Sequence, residues 1–104
     1  MNEKSDIYVE DELLHLKVKK ENIVIPMSLI KEFEFFNAYL FAELGSLVIK
    51  ELYYLDYHCQ SQLIYRWVQK FGCFSKNIDS FLASLEHVTN KTVRIIEKNY
   101  PAIP

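Results

Sequence analysis

The sequence has few of the residues that break regular structure: two glycines and three prolines in 104 residues. Gly45 and Gly72 cannot build a phosphate-cradling loop, and no GxGxxG, P-loop or GxSxG motif is present. Two cysteines, Cys59 and Cys73, are too few for a disulfide scaffold and are expected to be reduced. No run of about 18 apolar residues exists, so a membrane-spanning helix is not expected. An excess of basic charge is also missing. Twelve basic residues stand against 14 acidic ones, a net charge of −2, whereas nucleic-acid binding needs a clustered basic face. The nearest candidate, Lys17, Lys19 and Lys20, is interrupted and followed by Glu21, which reads as a solvated hairpin. The opening stretch MNEKSDIYVEDE is acidic and polar, unlike a secretory signal, and points to the cytoplasm or nucleus.

What the chain does have is aromatic residues. Seven Phe, seven Tyr and one Trp make 14% of it, half of all residues are hydrophobic and a quarter are charged. That balance belongs to a folded domain, and residues 1–104 read as one domain with its core at about 14–100. A domain of this size buries only about two-thirds of its unfolded surface. Some aromatic rings are therefore expected at the surface, where Tyr, Trp and Phe dominate contact energetics.

Along the chain, a short strand is expected at Ile7–Val9. Leu14, Leu16 and Val18 alternate with His15 and Lys17, and a β-branched run follows at Ile23–Ile25; the pair reads as a hairpin. Pro26 suits the first turn of a helix. Leu29, Ile30, Phe33, Phe36, Tyr39 and Leu40 give a broad helical stripe from Met27 to about Glu43. Gly45 closes it, and Ser46–Ile49 reads as a third strand. Leu63, Ile64, Trp67, Val68 and Phe71 fit one face of a helix from Cys59 to Phe71, with Gly72 as its stop. Ile78, Phe81, Leu82, Leu85 and Val88 predict a further helix. Asn90 reads as the N-cap of a last one, Lys91–Asn99. The fold class expected is α+β, a small three-stranded sheet with a cluster of four to five helices.

Catalytic signals are weak. His58, Cys59, Cys73 and His87 lack CxxC or HxxxH spacing, so no metal site is expected, and a Cys59 or Cys73 nucleophile paired with His87 has no motif behind it. Glu32 with Glu34, and Asp11 with Glu12, lie in charged stretches that read as solvated. The expectation is a protein that is not an enzyme and takes no cofactor.

Four stretches resemble the BTB/POZ superfamily, in its minimal form such as elongin C or the small adaptor of SCF ligases. Leu14–Ile25 with Pro26-Met27-Ser28-Leu29-Ile30 resembles the family's hairpin and first core helix. Glu34-Phe35-Phe36-Asn37-Ala38-Tyr39-Leu40 resembles its S-x-Y-F-x-x-L-F. Leu47-Val48-Ile49, Leu55-Asp56, and Leu63-Ile64 with Trp67 resemble its strand and F-x-x-L-L-x-Y-I-Y helix. Ile78–Val88 and Val93–Glu97 resemble its closing helices. The pattern departs at Glu34, where the family has Ser, and at Gln69-Lys70-Phe71-Gly72, where it has Tyr-Thr-Gly.

The resemblance implies a BTB/POZ-like fold and a protein-interaction adaptor, bridging a cullin ubiquitin ligase to a substrate receptor. The alternative is a homodimerising module with no ligase role. The corresponding contact residues are Phe41, Glu43 and Leu44, where Phe41-Ala42-Glu43 has a hydrophobic-x-Glu form, and the tyrosines Tyr53, Tyr54 and Tyr57. Partners are thus expected to be a cullin, a substrate receptor or a second copy, with neither nucleic acid nor membrane involved. Ten lysines to two arginines, with abundant Ile, Asn and Tyr, raise a further reading, a pathogen or viral mimic of a host adaptor.

Overall fold

The structure, a computed structural model, describes the backbone of residues 6–42, 45–70 and 77–100, and the side chains of 6–38, 48–68 and 78–97. The chain opens with an antiparallel meander of three short strands, β1 (Ile7–Glu10), β2 (Leu13–Val18) and β3 (Glu21–Pro26). Leu14, Leu16 and Val18 are buried while Lys17 is exposed, the alternation of a strand with one wet face. On the opposite face Tyr8 and His15, directly paired across β1 and β2, stack at 4.5 Å with their rings 4° from parallel. Glu10 pairs with Leu13, so Asp11 and Glu12 alone make the turn, with φ of 53° and 63°. Positive φ at both positions suits the twist of a two-residue hairpin, and it favours Asn-Gly rather than Asp-Glu.

After a single 3₁₀ turn at Met27–Leu29 come three long strands, β4 (Glu32–Ala42), β5 (Gly45–Leu55) and β6 (Ser61–Lys70). β4 and β5 pair without interruption from Glu32↔Leu55 to Ala42↔Gly45. β5 and β6 slip once, at Leu52/Tyr53, where Ile64 is the additional residue of a bulge. The helix α1 (Asn77–Thr89) then leads to β7 (Val93–Tyr100), which lies parallel to β4. The strand order is β6-β5-β4-β7. β6 and β7 therefore run the same way with β5 and β4 between them, and α1 is the crossover that parallel strands need. That crossover decides which face of the sheet is covered.

Ile78, Leu82 and Leu85 of α1 are buried, with Phe81 and Val88 partly so. They pack in one cluster with Ile7, Leu14, Leu16, Val18 and Ile25 of the small sheet and Phe33, Phe35, Leu52 and Trp67 of the large one. Trp67 is the hub. Its ring lies edge-on to Phe35 of β4 at 6.2 Å, Tyr65 at 4.8 Å and Phe81 of α1 at 6.0 Å, contacts worth about 0.5–1.5 kcal/mol each beyond area burial.

The hairpin and α1 stand where the sequence puts them; among the described residues the cluster of four to five helices does not form. Among the described residues α1 is the one α-helix. The expected helix Met27–Glu43 is a 3₁₀ turn followed by β4, the one at Cys59–Phe71 is β6, and the one at Lys91–Asn99 is β7. Asn90 caps nothing forward. It ends α1 with φ of 55°, its N–H donating to Glu86 O at 2.9 Å, as asparagine does at a helix C-terminus. The third strand, expected at Ser46–Ile49, is part of the much longer β5, and Gly45 is its first residue. The BTB/POZ-like architecture is overturned with these helices. The physical reason is that the large sheet carries apolar residues on both faces. A strand buried on one side alternates apolar and polar, but Leu63, Ile64, Trp67 and Val68 supply both faces of β6, and their spacing imitates a helical stripe. The aromatic and β-branched content of these segments favours strands all the same.

Candidate protein-interaction surface

Strand register assigns each side chain of the large sheet to a face. Phe33, Phe35, Leu52, Tyr54, Tyr65, Trp67 and Val93 turn to the inner face and the shared core. The outer face carries Glu32, Glu34, Phe36 and Ala38 from β4. It also carries Ile49, Glu51 and Tyr53 from β5, Leu63, Arg66 and Val68 from β6, and Arg94 and Ile96 from β7. None of these belongs to the core cluster. Leu63 is 47% exposed and Val68 52%.

The polar groups on this face are tied down. Glu51 Oε2 accepts from Arg66 Nε at 2.7 Å and from the Tyr53 hydroxyl at 3.2 Å. Burial, then the charge and hydrogen bond of Glu51, push the Tyr53 phenol above its ordinary pKa, against the lowering influence of Arg66. Phe36 meets Tyr53 edge-on, centroids 5.2 Å apart. Glu34, only 9% exposed, accepts from Ser61 Oγ at 2.6 Å across the intervening strand, and Glu32 pairs with Arg94 at 2.9 Å. The solvated pair expected at Glu32 and Glu34 is thus a buried carboxylate beside a salt-bridged one.

The tyrosines singled out from sequence go to three places. Tyr53 is on the outer face, Tyr54 opposite Phe33 packs inward against the core, and Tyr57 sits 62% exposed in the β5–β6 turn. Phe41 is in β4 opposite Ser46, with its side chain outside the described part, and Glu43 and Leu44 lie outside the described residues, as do Phe71, Gly72 and Cys73. Leu63, Val68 and Arg66 were not expected here. Their signal is the presence of apolar residues at both parities of one strand, which a single-faced sheet would not carry.

The β5–β6 turn is organised by Asp56. Its Oδ1 accepts the backbone N–H of His58 at 2.8 Å and of Gln60 at 2.9 Å. These bonds, Gln60's first, hold its carboxyl below the usual range despite some desolvation. Cys59, exposed with φ of 62°, is part of this turn, while His87 projects from α1 to solvent. Among the described residues no three His, Cys, Asp or Glu side chains gather as a metal site would need. A shallow groove of about 440 Å³ lies elsewhere, lined by Val9, Glu12, Met27, Ser28 and Lys91. Among the described residues no helix is long and apolar enough to cross a membrane.

Comparison with known proteins returns no matching family model, no matching curated protein and no matching solved structure.

Proposed function

We propose that this chain is a protein–protein interaction module that binds its partner through the outer face of the β6-β5-β4-β7 sheet. One observation carries the reading. The inner face already holds the core, and the outer face still presents Leu63 and Val68 about half exposed beside Phe36, Tyr53 and Ile49. A sheet face with only a solvent role would carry polar residues in their place, and exposed apolar side chains grouped with aromatic ones on one face favour a contact surface. Tyr53 and Arg66 belong to the residue types that concentrate binding energy, and both are here held in position by Glu51.

The cullin-bridging adaptor rests on the resemblance alone, with Phe41, Glu43 and Leu44 as the loop before the third strand and Tyr53, Tyr54 and Tyr57 after it. Phe41 lies in β4 and the three tyrosines are divided between two sheet faces and a turn, so no described feature favours a cullin over another protein.

Affinity capture with the wild-type chain and with Val68→Glu tests the reading, using Val24→Glu on the small sheet as control. Val24 is 49% exposed, comparable with Val68. Bound protein, a second copy of the chain included, should be lost with Val68→Glu alone. An unchanged bound set would refute the reading.

A further inference from the structure

We infer that the open edge of β6 takes an added strand, an extended apolar segment of a partner protein that carries a carboxylate. The inference rests on the interaction reading above and names the element of the partner that meets Leu63 and Val68. The large sheet ends at β7 on one side and at β6 on the other, and the two edges are built differently.

The β7 edge is guarded. Phe33 N–H donates to Thr92 O, so Thr92 faces β4 and the backbone of Val93 turns outward. The Val93 N–H is already taken there by Glu86 Oε2 of α1 at 3.1 Å. Glu97 then sets a charge on the inner face, in the row of Asn37. Inward-pointing charge and a covered edge keep a sheet from pairing further. The small sheet is protected by short strands, four residues in β1 and six in β3, which ends at Pro26.

The β6 edge is long and open. Its ten residues include no proline. Lys31 N–H donates to Leu55 O, which turns Leu55 to β4. Alternation then turns Tyr54, Leu52 and Lys50 to β6, where they pair with Gln62, Tyr65 and Trp67. The backbone groups of Leu63, Arg66 and Val68 therefore point away from the sheet. Among the described residues no strand lies beyond them. The bulge at Ile64 interrupts the ladder but leaves Tyr65–Lys70 in continuous register with Leu47–Leu52. Exposure follows the same edge: Leu63 is 47% and Val68 52% exposed, and the Arg66 side chain 53%. Each lacks the cross-strand neighbour that a further strand supplies.

Charge selects the occupant. β6 carries Arg66 and Lys70 and no acidic residue. A second β6 laid alongside would bring two basic strands together, and like charges across a ladder destabilise it. A strand of opposite character sets a carboxylate beside Arg66 and an apolar side chain, two residues away on the same face, beside Val68.

The test uses the whole chain and the capped heptapeptide Thr-Ile-Thr-Glu-Thr-Val-Thr as probe, followed by amide hydrogen exchange in NMR. The expected result is binding with a dissociation constant below about 1 mM. Exchange should slow at the N–H of Arg66 and Val68 and stay unchanged at Tyr65 and Trp67, whose N–H groups already face β5. Val68→Pro keeps an apolar side chain and removes an N–H that the sheet does not use. It should retain the far-UV circular dichroism spectrum and weaken the probe about tenfold, the worth of one hydrogen bond. A probe with Lys in place of Glu should weaken similarly. If Val68→Pro unfolds, the exchange pattern of the wild-type chain decides alone. No binding of the probe at 1 mM, or binding that leaves the Arg66 and Val68 amides unprotected, overturns the inference. Protection of the same amides by raising the chain concentration without probe also overturns it, in favour of a second copy. The capture experiment above separates this failure from that of the face reading. Bound protein lost with Val68→Glu but retained with Val68→Pro upholds the outer face and overturns the added strand; bound protein retained with both removes the two together.

Discussion

Glu51 and Arg66 stand directly opposite one another on β5 and β6, and a single carboxylate oxygen of Glu51 accepts from both Arg66 Nε and the Tyr53 hydroxyl. The three side chains form a fixed polar group between Leu63 and Val68, and Tyr53 reports on it. Glu51→Gln removes the negative charge and should move the Tyr53 phenol back toward its ordinary value. Carbon-13 tyrosine NMR, assigned with Tyr53→Phe, measures this. The folded chain holds the Tyr53 proton more tightly than the unfolded one, so the stability it lends is complete below the ordinary tyrosine pKa and is lost as pH rises through the raised one. Unfolding by urea above about pH 10 should therefore show a steeper alkaline loss in wild type than in Tyr53→Phe.

Trp67 joins β4, β6 and α1 through its three edge-on ring contacts. Trp67→Ala should cost about 3–5 kcal/mol in chemical denaturation, a large part of the 5–15 kcal/mol typical of a whole domain. Trp67→Phe keeps a ring in the site and should cost less than half as much.

The Asp11-Glu12 turn holds two non-glycine residues at positive φ. Glu12→Gly should stabilise the protein by about 1 kcal/mol, because relief of the left-handed conformation outweighs glycine's added freedom in the unfolded chain. The Met27 N–H to Glu12 O bond at 2.9 Å is a backbone contact and survives the change. A shift in the denaturation midpoint at constant slope is the readout.

Asp56 binds the amides of His58 and Gln60 in its ionised form, and its pKa is lowered. Its contribution is present above the ordinary carboxylate pKa and disappears as pH falls through the depressed one. Acid titration followed by amide NMR should show the His58 and Gln60 N–H signals moving together in that range, and Asp56→Asn should abolish the movement.

The parts of the fold that were legible in sequence are the one-sided ones. β2 buries Leu14, Leu16 and Val18 and wets Lys17, and α1 buries Ile78, Leu82 and Leu85 along one stripe, so each shows its own period. β4 and β6 carry apolar residues on both faces. Phe33 and Phe36, read as neighbours on a helix, lie on opposite sides of one strand. The same ambiguity blurred the surface. Tyr53 and Tyr54 are adjacent in sequence and separate in space, and Leu63 and Val68 were read as core because a helix would have buried them. Register, which distributes residues between faces, depends on which strands pair and is absent from any local window.

The order β6-β5-β4-β7 also sets a schedule for the growing chain. β4, β5 and β6 are successive hairpin partners and can pair as each leaves the ribosome. β7 docks beside β4 some 60 positions after it, with Phe33 opposite Val93, so that edge of β4 and the inner face beneath α1 wait for the last strand. Until then the nascent meander exposes the unpaired edge of β4 as well as that of β6, and an uncovered apolar inner face. This interval of synthesis, more than the finished molecule, is where the chain is most prone to wrong association.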